Sequence, residues 1–217
     1  ATDTSNNIKE TSITVTYTPP TVNHDPIGNV DGADSVHVTG WAYDQDAGSN
    51  PINVHIYIDN NPVANIIANV SRPDLVSAGV APDPNHGFDY TFTGLSVGTH
   101  TVDVYAINAP EGVNPLLAGS PKTIVIPDTT LPTISISSPT NNQIFTSPSI
   151  TASGAASDNV ALSKVEVKLN SGNFQTATGA TNWSMPLTLV SGTNTITARA
   201  TDTSNNIKET SITVTYT

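Results

Sequence analysis

Apolar and polar residues alternate with a period of two through most of the 217-residue chain. In residues 165–169, for example, Val and Leu alternate with charged residues. The same alternation recurs at residues 54–58, 88–92, 102–106, 196–200 and 212–216. Because successive side chains of a strand point to opposite faces, each run predicts a strand that buries one face. Turn-forming Asn, Ser, Gly and Pro separate the runs, so the pattern predicts an all-β protein built from antiparallel sandwiches.

An exact repeat joins the two ends of the sequence. Residues 1–18, ATDTSNNIKETSITVTYT, recur unchanged as residues 200–217, an offset of 199 positions. Convergence toward a common fold would preserve the pattern and not every letter, so the identity indicates a tandem array with a 199-residue period. We interpret the first copy as the last strand of a preceding repeat. A duplication introduced by cloning is the alternative.

Prolines mark two boundaries in the chain. Thr18-Pro19-Pro20-Thr21 follows the first copy of the repeat, and Pro127 to Pro132 form a second proline-bounded stretch. Proline cannot continue a β-ladder, so both stretches read as short connectors. We therefore divide the chain into a terminal strand at residues 1–18, a first sandwich at 19–127 and a second at 128–217. Both sandwiches are close to the usual size of about 100 residues.

The charge balance excludes several classes of partner. Acidic residues number 18 against seven Lys and Arg, which gives a net charge of −11. Such a chain repels phosphate backbones and anionic bilayers, so we expect no nucleic-acid partner. No apolar run approaches the roughly 18 residues needed to span a bilayer, so we expect no membrane insertion. Cysteine is absent, which excludes disulfides, thiolate metal sites and a cysteine nucleophile. The sequence also lacks the motifs of a serine hydrolase or a phosphate-binding loop, so we predict a protein that is not an enzyme.

The second sandwich resembles bacterial immunoglobulin-like (Big-type) domains of secreted glycosidases and surface adhesins. The resemblance rests on SSPTNNQIF, SGAASDNVALSKVEVKLNSG and GTNTITARATDTSNN, and it covers nearly all of residues 128–217. The first sandwich, with GWAYDQD, VHIYID and GTHTVDVYAIN, resembles another Ig-like module of secreted bacterial proteins. The likeness implies two tandem Ig-like sandwiches in an extracellular, cell-surface or secreted protein. It brings no catalytic residues.

Acidic side chains fall where an Ig-like sandwich gathers its loops at one pole. Asp128, Asp158 and Asp202 occupy the start of the first strand and two loops of the second sandwich. Calcium prefers such oxygen ligands, so this group is a candidate calcium site. The alternative is that these residues only shape turns. A second candidate calcium group, in the first sandwich, consists of Asp25, Asp44 and Asp46.

Outward-facing aromatic side chains are the other candidate for ligand binding. Tyr57 and Tyr105 point away from the core in the alternating pattern and are candidates to contact a glycan. In the terminal segment, Ile13, Val15 and Tyr17 form an apolar stripe that is a candidate for strand association. The expected partners are neighbouring copies of the same repeat, joined head to tail by covalent continuity or by strand donation.

Two functions remain open from the sequence. The first is a structural repeat unit of a cell-surface fibre, stalk or giant adhesin, in which successive sandwiches give the fibre its length. The second is a carbohydrate-binding or spacer module that accompanies a secreted glycoside hydrolase. Copies of the repeat in the parent gene favour the first function, whereas glycan binding through the two tyrosines favours the second.

Overall fold

The computed structural model describes residues 4, 10–17 and 22–217 of the chain. It is an all-β structure with four sheets, one short α-helix and one 3-10 turn, Gln45–Ala47, in these residues. The chain divides into two compact units, of which the first holds most of residues 22–121 and the second holds all of residues 122–217. Two short segments of the N-terminal half, Ala33–His37 and Thr91–Thr101, belong to the second unit.

Eight strands between residues 27 and 126 form the sheets of the N-terminal sandwich. They are β1 (Ile27–Ala33), β2 (His37–Tyr43), β3 (Asn53–Ile58), β4 (Asn61–Ile67), β5 (Val70–Ser71), β6 (Asn85–Thr91), β7 (Gly98–Ala106) and β8 (Lys122–Ile126). One sheet has the order β1-β2-β6-β5 and the other the order β4-β3-β7-β8. Buried side chains come from both sheets, for example Val38 and Phe88 from the first and Ile56 and Val104 from the second. Their burial joins the two sheets around one core.

Local sequence explains the connections in this sandwich. The two-residue turn between β3 and β4 holds Asp59 and Asn60 at φ of 50° and 64°. Asp and Asn tolerate such positive φ values, which match the twist of a tight hairpin. The short α-helix, α1 (Pro73–Ser77), starts with a proline, whose fixed φ and missing N–H suit the first helical position.

Eight further strands form the C-terminal sandwich. They are β9 (Thr133–Ser138), β10 (Gln143–Phe145), β11 (Ser149–Ser157), β12 (Leu162–Leu169), β13 (Gln175–Thr176), β14 (Asn182–Thr188), β15 (Gly192–Asp202) and β16 (Ile207–Tyr216). The larger sheet has the order β10-β16-β15-β12-β13, and the smaller has the order β14-β11-β9. Strand β16 is antiparallel to β15 and parallel to β10, so it lies inside the larger sheet and does not form its edge.

The core of the C-terminal sandwich lies between its two sheets. Trp183 of β14 is the largest fully buried side chain and packs with Val165, Val167 and Val214 of the larger sheet. Gly154 lies directly opposite Trp183 in the β11–β14 ladder. A Cβ at this glycine would clash with the Ser135 backbone oxygen and would come within 2.6 Å of the indole ring, so the missing side chain makes room for both the neighbouring strand and the tryptophan.

One charged residue departs from the predicted alternation. Glu166 is expected on the solvent face of β12, yet only 8% of it is exposed. The Arg199 guanidinium donates two hydrogen bonds to Glu166 Oε2 and also stacks on the Phe174 ring, 3.8 Å from its centroid. The Lys164 ammonium lies 3.0 Å from the other carboxylate oxygen. These long side chains cover the outer face of the sheet and bury the carboxylate beneath them.

The two copies of the repeated segment differ in structure where both are described. Residues 1–3, 5–9 and 18 of the predicted terminal strand lie outside the described residues. Residues 10–17 form no strand or helix, and Ile13, Val15 and Tyr17 are 84%, 85% and 79% exposed. The identical sequence at the C-terminus forms β16, where Val214, the counterpart of Val15, is fully buried.

Candidate functional site

Three aspartates from separate segments meet at one pole of the C-terminal sandwich. Asp128 lies ahead of β9, Asp158 directly follows β11, and Asp202 is the last residue of β15. Each contributes one carboxylate oxygen to a group in which all three oxygens lie within 4.8 Å of one another. We call these residues the Asp triad. The sequence placed the same three residues together, because an Ig-like topology brings these loops to a common end.

Each carboxylate of the Asp triad is held by a backbone N–H two residues further along the chain. Thr130 N donates to Asp128 Oδ1, Val160 N to Asp158 Oδ2 and Ser204 N to Asp202 Oδ1, over 3.0, 2.9 and 2.8 Å. This is the turn chemistry that the sequence offered as the alternative to metal binding. It engages one oxygen of each carboxylate, and the second oxygen of each is free of these turn bonds.

The asparagines beside the Asp triad bind it together. Asn206 Nδ2 donates to Asp202 Oδ2 and to the backbone oxygen of Asp128, over 2.8 and 3.1 Å. Asn159 Nδ2 donates to Asp128 Oδ1 over 3.3 Å. These amides link the three segments and fix the positions of their carboxylates.

Two oxygens of the Asp triad are buried without a hydrogen-bond partner. They are Asp128 Oδ2 and Asp158 Oδ1. Asp128 is 7% exposed and Asp202 is 1% exposed, so the group is largely removed from water. Within the described residues, no Lys, Arg or His forms an ion pair with any of the three. A buried anionic oxygen that lacks a partner is costly, so the site favours a positively charged or hydrogen-bonding occupant.

Local hydrogen bonds keep Asp202 in its charged form. Burial raises the pKa of Asp202, but hydrogen bonds from the side chain and backbone of Asn206 and from the Ser204 N–H lower it further than burial raises it. The net pKa lies below the ordinary value for aspartate. The site therefore holds an ionised carboxylate at neutral pH.

The second predicted calcium group has a different arrangement. Asp44 is 1% exposed, and its two carboxylate oxygens accept hydrogen bonds from Asp46 N and Ala109 N. The Asp46 carboxylate bonds to the backbone and ring nitrogens of His24. Asp25 Oδ1 accepts from the Asn108 amide over 3.3 Å. Within residues 22–217, the Asp triad is the only group of three or more possible metal ligands whose atoms lie within 4.8 Å of one another, and calcium binding by Asp25, Asp44 and Asp46 stays a prediction.

The two predicted ligand-binding tyrosines lie side by side on the outer face of the sheet that contains β3 and β7. Tyr57 and Tyr105 form an edge-to-face pair with ring centroids 5.4 Å apart. They line an open groove with a volume of about 290 Å³. Its other polar lining residues are His55, Asn60, Asp103 and Asn114. We call this the tyrosine groove.

The polar residues of the tyrosine groove were not predicted as site residues. In the β3–β7 ladder, His55 is opposite Tyr105 and Tyr57 is opposite Asp103. The sequence carries a signal for this grouping, since positions 55, 57, 103 and 105 all fall on the outward phase of the alternation. Only the strand register shows that the four side chains are neighbours.

Sequence comparison finds a known family in the C-terminal sandwich. Residues 132–198 match the family described as bacterial Ig domain. A search of curated proteins found no match. None of the helices in the described residues is long and apolar enough to cross a membrane.

A search of solved structures found several similar chains. The fibronectin(III)-like modules of Clostridium thermocellum CbhA share 14% identity, with 88% of this chain and 93% of that chain covered and a TM-score of 0.38. The endo-beta-1,4-mannanase from Thermotoga petrophila shares 13%, with 42% and 20% covered and a TM-score of 0.36. A C-terminal fragment of intimin, solved with the intimin-binding domain of its translocated receptor, shares 14%, with 85% and 62% covered and a TM-score of 0.35.

The family match and the fold agree for the second half of the chain. The matched residues begin one position before β9 and end within β15, so they include most strands of the C-terminal sandwich. They also include Asp158, one of the three residues of the Asp triad. The part of the C-terminal sandwich between residues 132 and 198 is therefore similar to a bacterial Ig domain.

Proposed function

We propose that this chain is a repeat unit from an extracellular stalk or adhesin, in which Ig-like sandwiches follow one another in a tandem array. The observation that carries the proposal is the exact repeat of residues 1–18 at residues 200–217. In this proposal the role of the sandwiches is structural, and the chain has no catalytic role.

The contrast between the two copies supports this reading. In the C-terminal copy, Ile207–Tyr216 pair with β15 along nearly their whole length and contribute the buried Val214 to the core. The N-terminal copy has the same apolar stripe, but the stripe is exposed in residues 10–17. An amphipathic strand gains stability only by burying its apolar face and pairing its backbone groups. A preceding sandwich would provide both for the first copy.

Strand donation between separate chains is the alternative form of head-to-tail contact. In that arrangement the N-terminal copy of one molecule would take the place of β16 in its neighbour. The C-terminal copy is identical in sequence and is tethered to its own sandwich, so its effective concentration favours it over a strand from another molecule. We therefore propose covalent continuity as the form of the array.

The gene that encodes the chain tests the array directly. With a period of 199 residues, the sequence upstream of Ala1 should repeat residues 192–199, GTNTITAR, and the sequence downstream of Thr217 should begin PPTV, as at residues 19–22. Unrelated sequence on both sides would contradict the tandem array.

Light scattering separates covalent continuity from strand donation. We expect the intact chain to remain monomeric at high concentration, because β16 already fills its place in the sheet. Polymers that disappear when residues 1–17 are deleted would contradict continuity and favour donation. The deletion variant is its own control for folding, since its circular dichroism should match that of the intact chain.

The tyrosine groove favours a second candidate function, the binding of a carbohydrate. Paired aromatic rings beside polar side chains are suited to stack on a sugar and to bond its hydroxyls. Glycan-array binding that is lost in Tyr57→Ala and in Tyr105→Ala, but retained in Tyr17→Ala, would support this function. Equal binding by all three variants, or no binding by the parent chain, would exclude the groove as a glycan site.

A further inference from the structure

We propose that the Asp triad binds one Ca²⁺ ion. The repeat-unit function does not depend on this site, because that function rests on the duplicated strand. The ion would be held by Asp128, Asp158 and Asp202, which come from three separate segments of the C-terminal sandwich. Its binding would tie these segments together at the pole of the sandwich.

The unpartnered oxygens are the first support for a cation. Asp128 is more than nine-tenths buried, and its Oδ2 has no hydrogen-bond partner, like Oδ1 of Asp158. Turn residues alone would explain the oxygens that accept backbone N–H groups, but they leave these two oxygens unexplained. A bound cation satisfies them and offsets the repulsion among three neighbouring carboxylates.

The spacing of the oxygens is compatible with a bound calcium ion. Two oxygens on opposite sides of a Ca²⁺ ion lie about 4.8 Å apart, since Ca–O distances are roughly 2.3–2.6 Å. The oxygens of the Asp triad all lie within 4.8 Å of one another, a span that this ion can bridge. Magnesium requires about 2.1 Å to each ligand and near-ideal octahedral geometry, which suits it less well to a triad fixed by turn hydrogen bonds.

The donor set has the chemistry that calcium requires. All three side chains offer carboxylate oxygens, and no nitrogen or sulfur ligand is present in the group. Calcium takes six to eight oxygens, so water and neighbouring backbone carbonyls would complete its shell. The amides of Asn159 and Asn206 donate to the Asp triad and would keep the carboxylates in place during exchange of the ion.

Calorimetric titration of the full chain with CaCl₂, after treatment with EDTA, tests the site. We expect one ion per chain, and we expect the melting transition of the C-terminal sandwich to rise by about 10 °C or more at a hundredfold excess over Kd. The absence of both binding heat and a shift at 10 mM CaCl₂ would overturn the proposal. Equal stabilisation by MgCl₂ would overturn the preference for calcium.

Three variants locate the ion. Asp128→Asn and Asp158→Asn should each lose the calcium-dependent rise, while Asp89→Asn, a matched charge change at an exposed position of β6, should retain it. The Asn variants of the triad should also melt higher than the parent in EDTA, because each removes one of three like charges. If Asp128→Asn fails to fold by circular dichroism, the half-buried Asp158→Asn decides. Calcium binding that survives in Asp158→Asn would overturn the assignment to the Asp triad.

Discussion

Val15 and Val214 occupy the same place in the repeated segment but have opposite environments. Val15 is 85% exposed, whereas Val214 is fully buried in the core of the C-terminal sandwich. The substitutions Val15→Ala and Val214→Ala remove the same two methyl groups from the same local sequence. Any difference between their effects therefore reports the tertiary environment and not the intrinsic strand propensity.

The expected cost of Val214→Ala follows from its burial. The transfer contribution is about 0.8 kcal/mol for each buried methyl-sized group, or about 1.6 kcal/mol in total. A cavity that the neighbouring side chains cannot fill adds about 1 kcal/mol, which gives roughly 2–3 kcal/mol. For a domain of 60–100 residues this corresponds to a decrease in Tm of about 10–20 °C. Val15→Ala should change the free energy of unfolding by less than about 0.5 kcal/mol.

Urea denaturation followed by tryptophan fluorescence, in a Trp41→Phe background, measures the change in the free energy of unfolding for both alanine variants. The chain has two tryptophans, so Trp183 then becomes the only one, and it lies in the same buried cluster as Val214. Equal destabilisation by the two alanine variants would refute the reasoning, since it would mean that the N-terminal copy is also packed. A second contradictory result is that neither single variant changes the free energy of unfolding while the double variant lowers it. This would mean that either copy can occupy the position of β16, and it would contradict the assignment of the C-terminal copy as the closing strand.

Three further predictions concern the C-terminal sandwich. Burial raises the pKa of Glu166, but hydrogen bonds from the neighbouring arginine and lysine lower it further, so the net pKa lies below its ordinary 4.5. The stability that Glu166 contributes is therefore present above about pH 4.5 and is lost as the pH falls, and Glu166→Gln should flatten this part of the pH profile of stability in urea titrations. Gly154→Ala should cost about 2–3 kcal/mol because the new Cβ would clash with the Ser135 backbone oxygen and press on the Trp183 ring. Gly32→Ala, with no atom closer than 3.9 Å, should stay within about 0.5 kcal/mol, and equal thermal shifts for the two variants would refute this packing argument. Asn194→Ala should lower the free energy of unfolding by about 2–3 kcal/mol, because the fully buried amide joins two turns through four hydrogen bonds. Thermal melting measures this loss, and an unchanged Tm would show that water replaces the four hydrogen bonds.

The grouping of the Asp triad could be predicted from the topology of the fold alone. The sequence predicted that Asp128, Asp158 and Asp202 lie together, because the resemblance to an Ig-like domain fixes which loops share a pole. The same reasoning placed Asp25, Asp44 and Asp46 in one group, but there the carboxylates accept hydrogen bonds from backbone N–H groups, from His24 and from the Asn108 side chain. Hydrogen-bond engagement of this kind depends on side-chain rotamers and loop paths, which composition and spacing do not specify.

Glu166 shows where the alternating pattern fails. Period two assigns it correctly to the outer face of β12, but the pattern contains no information about what covers that face. The stacking of Arg199 on Phe174 brings together residues 25 positions apart in the sequence, and the buried carboxylate lies beneath this cover. Burial of an outward-facing residue is thus a tertiary effect.

By itself, the sequence determined the all-β class, the positions of most strands and the exact duplication, because alternation and turn residues act over a few neighbouring positions. Only the tertiary structure decided which copy of the duplicated segment is a strand. Identical residues form β16 at one end and no regular element in residues 10–17 at the other. The physical reason is that a single strand cannot satisfy its backbone groups or bury its apolar face alone, so its state depends on the presence of a sheet beside it.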